Sequence, residues 1–369
     1  MAGELRAQFG ASVPRAIAAM IRAVHQDFPQ DQFLRDALAG YGTLSLTARA
    51  AQIAEALHRH LPADYPRALD ILLASASQEH DHRASNGMSG FLFMPHLLFV
   101  ARQGLDHFEE SMRAQHALTQ RFTAEFSIRA FLEKHPERTL AQLRTWTQDS
   151  SHHVRRLVSE GTRPRLPWAP RLRAFQRDPR LVLELLELLK DDPDPYVRRS
   201  VANNLNDIGK DHPALLNRVA TRWLRGAGAG RRWIVSHALR SAVKRADAGA
   251  LRVLGYGRAP RIRISEVRIE PPQPRIGGRV HVSFGIRNTA RHEQRLLVDL
   301  VIHFVKARGA SAKTFKLKCL ELLPGVSTRV GKAISLRQQT TRRHYPGMHR
   351  VDALVNGERF RLGSFQLRR

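Results

Sequence analysis

The spacing of apolar residues changes once along the chain, near residues 255–260. Before this point, alanine- and leucine-rich stretches with helical spacing are separated by turn signals such as the Asp-Pro-Asp-Pro run at residues 192–195. After it, apolar and polar residues alternate in short runs, as in RVHVSFGI at residues 279–286. Helices place apolar residues three or four positions apart, whereas half-buried strands place them two apart. The sequence therefore predicts a helical domain at residues 1–257 and a β domain at residues 258–369.

One helix pattern repeats within the first part. HVRRLVSE at residues 153–160 recurs 43 residues later as YVRRSVAN at residues 196–203, and a looser copy, RRWIVSHAL, follows at residues 231–239. Repeats at this spacing are typical of helical solenoids, in which each helix pair buries its apolar face against its neighbours. The first part is therefore predicted to be a HEAT-like α-helical solenoid.

The second part contains seven alternating runs separated by Gly, Pro and Asn. This number of short runs is typical of an immunoglobulin-like or fibronectin-like β-sandwich. Cys319 is the single cysteine of the chain, so an intramolecular disulfide framework is excluded. The predicted architecture is a HEAT-like α-helical solenoid followed by an immunoglobulin-like β-sandwich.

The charge balance indicates a polyanionic partner. The chain has 60 Lys+Arg and 33 Asp+Glu, a formal net charge of +27, which costs self-repulsion unless an anion is bound. Residues 258–369 alone hold 24 Lys+Arg and 7 Asp+Glu, or 24 − 7 = +17. Nucleic acid is the leading candidate, although charged outer strand positions could also serve solubility alone.

A membrane partner is not favoured by the sequence. The longest apolar run, residues 91–101, is short and is interrupted by Pro95 and His96, so it cannot span a bilayer and is predicted to be a buried helix or an interface. No secretory signal is visible at the start of the chain. We expect a soluble, cytoplasmic protein.

The repeated helices place polar side chains on the face opposite the core. Arg156 and Glu160 share that face in the first copy, since residues four apart lie on one side of a helix. The same stripe continues through the later copies and is predicted to bind DNA phosphates together with Arg163; its further members are Arg199, Asn203, Asn206, Lys210, Trp233, His237, Arg240 and Lys244. The alternative is that each stripe is a solvated helix face stabilised by i,i+4 pairs.

Two acids and one tryptophan are out of place in a groove that attracts phosphates. Glu160 stands where the other copies have Asn203 and His237, and a carboxylate there is favourable only if it meets a cation. Glu125 is a second acid, flanked four residues away on either side by arginines, which an ordinary helix ion-pair ladder would also explain. Trp168 ends a loop that two prolines stiffen. Its ring is a candidate contact group, and the alternative is a hydrophobic plug against the next helix.

The longest matching strings resemble a known family. GLDHFEESM at residues 104–112, RFTAEFSIR at residues 121–129, and the repeats from residue 153 to residue 240 resemble the AlkC family of bacterial DNA alkylation-repair glycosylases. The resemblance is specific over residues 104–257 and weaker before them. Residues 258–369 resemble the immunoglobulin-like domain that one branch of this family carries.

The resemblance implies a function and a set of site residues. Members of this family excise cationic N-alkylated purines, notably 3-methyladenine, from double-stranded DNA in base excision repair, and are thought not to flip the base. It implies that Glu160 and Glu125 stabilise the sugar cation or position water, and that Trp168 packs against the deoxyribose or the lesion. Neither cofactor nor metal is expected, and the enzyme would be a monofunctional monomer of the bacterial cytoplasm, associated with the nucleoid when bound.

Two other classes of function remain open on the residues alone. A non-catalytic HEAT-repeat protein that recognises DNA structure would keep the basic stripes but would have no use for Glu160. A protein-interaction scaffold would use the same surface to bind an acidic protein. If the protein is a glycosylase, the basic β-sandwich is expected to clamp the duplex.

Overall fold

The computed structural model describes residues 9–77, 89–339 and 343–369. Within these ranges the first part of the chain is helical, with two short 3₁₀ helices at Tyr41–Thr43 and Ser89–Phe93 and the α-helices named next. The α-helices, in chain order, are α1 (Ser12–Val24), α2 (Gln30–Leu38), α3 (Leu46–His60), α4 (Tyr65–Ser77), α5 (Met94–Gln103), α6 (Phe108–Thr119), α7 (Ile128–Lys134), α8 (Pro136–Trp146), α9 (His152–Gly161), α10 (Arg173–Arg177), α11 (Arg180–Leu189), α12 (Pro195–Asp211), α13 (Pro213–Leu224), α14 (Ala229–Ala238), α15 (Arg240–Lys244) and α16 (Ala248–Val253).

Local sequence sets several helix boundaries. Pro136 and Pro213 begin α8 and α13, because proline has no N–H to leave unsatisfied in a first turn and its φ already suits a helix. Ser45 and Asp247 cap α3 and α16 by accepting backbone N–H bonds, from Ala48 at 3.4 Å and from Ala250 at 2.7 Å. Caps of this kind stabilise a helix start by about 1 kcal/mol.

The repeated helices pack as their apolar spacing predicted. Val154, Leu157 and Val158 of α9 are fully buried, as are Val197 and Val201 of α12. Gly161 permits the close approach of α7 and α9, since a Cβ there would lie 2.5 Å from Ile128 Cγ2. The HEAT-like helical fold is confirmed.

The apolar run at residues 91–101 is confirmed as a buried helix. It lies in the second 3₁₀ helix and α5, where Met94, Leu97 and Phe99 are buried. No helix in the described residues is long and apolar enough to cross a membrane.

The seven predicted runs all lie in β-strands of the described chain. These are β1 (Ile262–Glu270), β2 (Arg279–Asn288), β3 (Gln294–Val305), β4 (Ala310–Leu322), β5 (Ser327–Ser335), β6 (Gly347–Val355) and β7 (Glu358–Leu367). They form two antiparallel sheets with strand orders β1-β2-β5 and β4-β3-β6-β7. Alternate residues of β2, such as Val280 and Phe284, are buried in the same clusters as Leu300 and Val298 of β3. The immunoglobulin-like sandwich is therefore confirmed, and Cys319 is exposed on β4.

The chain forms two compact units. The first comprises Met1–Asp211 and Ala227–His237, and the second comprises His212–Gly226 and Ala238–Arg369. The second unit thus contains α13, α15, α16 and both sheets. Helix α16 ends at Val253 and β1 begins at Ile262, on either side of the predicted domain boundary after residue 257, and that boundary stays a prediction.

Candidate active site

Glu160 lies in the last turn of α9 and is held at both carboxylate oxygens. Its side chain is buried, with 7 % exposed. Oε1 accepts a hydrogen bond from Arg163 Nη1 at 2.6 Å, and Oε2 accepts one from Ser200 Oγ at 2.6 Å. Ser159 Oγ in turn donates to Ser200 Oγ at 2.7 Å. Because Ser200 belongs to α12, the packing of two repeat copies fixes the orientation of this carboxylate.

Glu125 lies in the turn before α7 and shares an arginine with Glu160. Its Oε2 accepts hydrogen bonds from Thr123 Oγ1 at 2.8 Å and pairs with Arg156 Nη2 at 2.7 Å. The same Nη2 is 3.7 Å from Glu160 Oε1, and Arg156 Nη1 donates to Thr123 Oγ1 at 2.6 Å. The two predicted acids, 35 positions apart in sequence, therefore meet at one guanidinium.

Asp207 adds a third carboxylate. Its side chain is 1 % exposed; Oδ2 accepts from Arg163 Nε at 2.8 Å, and Oδ1 accepts from Lys210 Nζ at 2.8 Å. Glu125, Arg156, Glu160, Arg163 and Asp207 form one chain of alternating charge, called the carboxylate cluster below. Replacing buried ion pairs by apolar side chains is often neutral or stabilising, so such a cluster is poor evidence for stability and points to a functional site.

Arg129 of α7 anchors the loop that follows Glu160. Its buried guanidinium donates to Gly161 O at 3.1 Å and to Arg163 O at 2.8 Å, and also bonds Pro170 O. Burial lowers the pKa of Arg129 to about 10, which still leaves the group protonated at neutral pH. A single cation thereby fixes both ends of the loop that presents Trp168.

Trp168 is presented to solvent by a strained backbone. Its φ is +66° and 70 % of the residue is exposed. Left-handed φ in a bulky side chain is a genuine outlier and costs about 1–2 kcal/mol. The exposure excludes the alternative that Trp168 is a hydrophobic plug. It borders a cavity of about 520 Å³ formed with residues of α3, α5 and α7.

An aromatic group that the sequence analysis missed lies beside the carboxylate cluster. The ring of Tyr196, at the start of α12, lies 5.0 Å from Arg156 Cζ and contacts the rings of His152 and His153 edge-on at about 6 Å. Burial raises the pKa of Tyr196. The sequence contained a signal, since Tyr196 opens the second copy of the repeat, but only the Arg and Asn of that copy were assigned to the site.

Asp207 was missed for a different reason. It stands three residues before Lys210, and this spacing is typical of an ordinary ion pair on a helix surface. Burial and the contact with Arg163 distinguish it, and neither can be deduced from α12 alone.

The predicted phosphate contacts fall into two groups. The guanidinium groups of Arg156 and Arg163 are engaged by the acids of the carboxylate cluster, and their side chains are only 14 % and 10 % exposed. The remaining side chains reach the surface more fully; Arg199, Lys210, Trp233 and Lys244 are exposed, and Asn203, His237 and Arg240 are half-buried. Asn206 is buried. The exposed part of the predicted stripe is therefore interrupted at that position and continues at Lys210.

The third repeat copy is not the single continuous helix that the predicted stripe requires. Helix α14 ends at Ala238, and Arg240 and Lys244 lie in the separate helix α15. Within α14, the rings of Trp233 and His237 stack with centroids 4.8 Å apart and planes 9° apart, as expected of aromatic residues four positions apart.

The site contains no recognisable metal centre in the described part of the chain. No group of three or more His, Cys, Asp or Glu side chains there could hold a metal ion.

The protein is thus a helical-repeat protein, with buried acids and an exposed tryptophan in its HEAT-like solenoid and a basic immunoglobulin-like sandwich after it. Comparison with known proteins identifies its family. The family model for DNA alkylation repair enzymes matches residues 52–241, and the model for the C-terminal Ig-like domain of the uncharacterised protein YhaZ matches residues 263–369. The chain belongs to the DNA alkylation repair enzyme family.

Two individual relatives match nearly the whole chain. The uncharacterized protein YhaZ of Bacillus subtilis (strain 168) is 38 % identical over 340 residues, covering 92 % of each chain. The structure of the Pseudomonas fluorescens alkylpurine DNA glycosylase AlkC, bound to DNA containing an abasic site analog, is 41 % identical, with a TM-score of 0.92 and 99 % of each chain covered. The family resemblance predicted from the sequence is confirmed.

Proposed function

We propose that this protein is a monofunctional DNA glycosylase of base excision repair that hydrolyses the N-glycosidic bond of cationic N-alkylated purines, with 3-methyladenine among them. The observation that carries the proposal is the pair of buried carboxylates, Glu125 and Glu160, held on the single guanidinium of Arg156. Membership of the DNA alkylation repair enzyme family and the likeness to the AlkC glycosylase support it.

The chemistry of the lesion explains why carboxylates suit this site. An N-alkylated purine is already cationic and leaves readily, so the reaction does not require a strong general acid. Positive charge develops on the deoxyribose as the bond breaks, and a fixed carboxylate stabilises such an oxocarbenium-like transition state. Two unit charges 4 Å apart interact by about 4 kcal/mol at an effective dielectric constant of 20.

Both acids keep acceptor capacity for this role. A carboxylate has about four lone-pair sites. The hydrogen bonds described above use one site on each oxygen of Glu160, and both contacts of Glu125 fall on Oε2. We propose that Glu160 positions the attacking water and that Glu125 faces the sugar cation. Neither acid contacts the purine in this scheme, so the base need not be flipped into a pocket.

Arg156 and Arg163 are proposed to position the acids. Each guanidinium contacts two carboxylates of the cluster, so breaking either pair would leave a buried charge without its partner, at a cost of about 3–5 kcal/mol. The members of the predicted stripe that reach the surface are proposed to contact phosphates; they are the exposed Arg199, Lys210, Trp233 and Lys244 and the half-buried Asn203, His237 and Arg240.

Trp168 is proposed to pack against the deoxyribose or the alkylated base. An exposed indole facing a cation gains about 0.5–2 kcal/mol, which offsets the left-handed backbone that presents it. The basic sandwich is proposed to hold the duplex through its phosphates.

The direct test is incubation of the protein with DNA carrying N-methylated purines, followed by separation and identification of the free bases. Release of 3-methyladenine would support the proposal. Binding to the duplex with no free base would instead favour a non-catalytic protein that recognises DNA structure. Failure of plain duplex DNA to bind or to compete would favour the interaction-scaffold alternative.

A further inference from the structure

A groove rich in arginine lies entirely within the second compact unit, between α13 and α16. It has a volume of about 840 Å³, and its rim includes Arg218, Arg222 and Arg225 from α13 and its end, and Arg252 from α16. All four arginines are exposed. None of them belongs to the carboxylate cluster or to the predicted phosphate stripe.

The groove is built by a specific approach of the two helices. Asn217 Nδ2 donates to Asp247 Oδ1 at 3.3 Å, and the same oxygen caps the start of α16. Gly249 makes the approach possible, since a Cβ there would lie 2.1 Å from Asn217 Nδ2. Arg218, Arg222 and Arg252 are thus carried by two helices whose separation is fixed, and Arg225 follows the end of α13.

Arginines outnumber carboxylates around the groove; the nearby Asp247 carboxylate accepts a hydrogen bond from Asn217. No carboxylate lines it among the described residues, and residues 212–246 contain eight Lys+Arg and no Asp or Glu. Basic residues near a helix C-terminus complement the helix dipole, which accounts for Arg222 and Arg225 singly. The dipole does not account for arginines from two helices converging on one groove, where like charges repel.

Three of these arginines follow one another along α13 and its end. Arg218 and Arg222 lie one turn apart, about 6 Å along the helix axis, and Arg225 follows the last residue of the helix. Guanidinium groups bind phosphate oxygens through two parallel N–H donors. A polynucleotide strand carries a phosphate on every nucleotide, so several guanidinium groups along one groove can each bind one.

We propose that the groove between α13 and α16 binds the phosphate backbone of DNA at a place separate from the carboxylate cluster. The proposal rests on the proposed function only in taking DNA as the ligand. Such a contact would add sequence-independent affinity and would lengthen the time spent on undamaged duplex, because phosphate contacts supply most non-specific binding.

The test is the salt dependence of binding to an unmodified duplex. The groove variant carries Arg218→Gln, Arg225→Gln and Arg252→Gln, with Arg222 left intact because it has other interactions within the protein. Each lost phosphate contact lowers the slope of log K against log salt by about 0.9, so the slope should fall by about 2 to 3. The affinity should drop about 100-fold or more at 0.1 M salt.

A matched control removes the same charge elsewhere. Arg15→Gln, Arg22→Gln and Arg67→Gln change exposed arginines of α1 and α4 and should alter the slope by less than about 0.5. If the groove variant behaves like this control, the proposal is wrong. It is also wrong if the groove variant keeps its DNA affinity but loses binding to poly-glutamate, which would assign the groove to an acidic protein.

Two further measurements keep the result interpretable. The single variants Arg218→Gln and Arg225→Gln should each lower the slope by about 0.9, so the proposal is decided even if the triple variant fails to fold. The rate of methylated-base release with enzyme in saturating excess should match the wild type, since none of these arginines touches the acids. If the wild type releases no base, the proposed function fails while the binding series still decides the groove.

Discussion

Glu160→Gln is the most informative single change in the carboxylate cluster. It removes one negative charge while keeping the size of the side chain and an oxygen that can accept from Arg163. Arg163 also retains Asp207, 2.8 Å away, so its charge is not left without a partner. The cost in folding stability should therefore stay below about 2 kcal/mol, well under the 3–5 kcal/mol typical of breaking a buried pair outright.

The expected loss in catalysis is larger than the loss in stability. The attraction between a carboxylate and a sugar cation 4 Å away is about 4 kcal/mol at an effective dielectric constant of 20. The neighbouring guanidinium groups reduce this to about 3 kcal/mol, comparable to the effect of deleting a preorganised donor in other enzymes. Base release should slow by roughly 10²- to 10³-fold.

The assay is single-turnover release of 3-methyladenine from methylated DNA, measured beside binding to the same duplex. Binding should be no weaker than in the wild type, because the variant removes a charge that repels phosphate. Glu184→Gln is the matched control: Glu184 is an exposed acid of α11 paired with Arg144 at 2.7 Å, and exposed pairs contribute little. A release rate for Glu160→Gln near that of this control would refute the catalytic assignment, as would a parallel collapse of DNA binding.

Three further predictions test other parts of the molecule. Trp168→Gly should slow base release about tenfold yet change the free energy of unfolding by less than about 1 kcal/mol, because relief of left-handed strain offsets the added chain entropy of glycine; denaturant unfolding beside the release assay decides this. Arg263 and Arg287 lie directly opposite each other on β1 and β2, and changing both to Gln should lower the salt slope of duplex binding by about 2, whereas an unchanged slope would argue against the sandwich clamp. His96 is fully buried, neither ring nitrogen has a partner among the described residues, and burial lowers its pKa from 6.5 to about 4. Its contribution to stability should therefore be complete above pH 6.5 and be lost as the pH falls toward 4, by on the order of 3 kcal/mol; His96→Leu should remove that part of the pH dependence in denaturant unfolding.

The local part of the fold was predictable because it depends on spacing alone. The 3.6-residue period identified the buried side of α9, including Val154 and Leu157, and the two-residue period identified the strands of the sandwich. Both patterns arise from the direction in which successive side chains leave the backbone, and this direction is fixed within each element. The same comparison of aligned positions drew attention to Glu160.

The contacts between elements could not be deduced in this way. The side chains that come into contact depend on how two helices are rotated and offset when they pack. The ridges and grooves on both helix surfaces together determine this packing. The meeting of Glu125 and Glu160 at Arg156 joins the turn before α7 to α9, and the contact of Arg163 with Asp207 joins the loop after α9 to α12.

The sequence by itself determined a helical repeat followed by a β-sandwich and a strong positive charge. It also determined that Glu160 is an acid at a repeat position where the other copies have Asn203 and His237. Only the tertiary structure decided that the face opposite the core of α9 is itself covered, because Ser200 of the neighbouring repeat packs against Glu160. A buried charge requires a partner. Arg156 and Arg163, which were predicted to bind phosphates, therefore pair with the acids of the carboxylate cluster. Tertiary structure also decided that Trp168 faces solvent, since the bonds that hold its loop come from Arg129, more than 30 residues earlier.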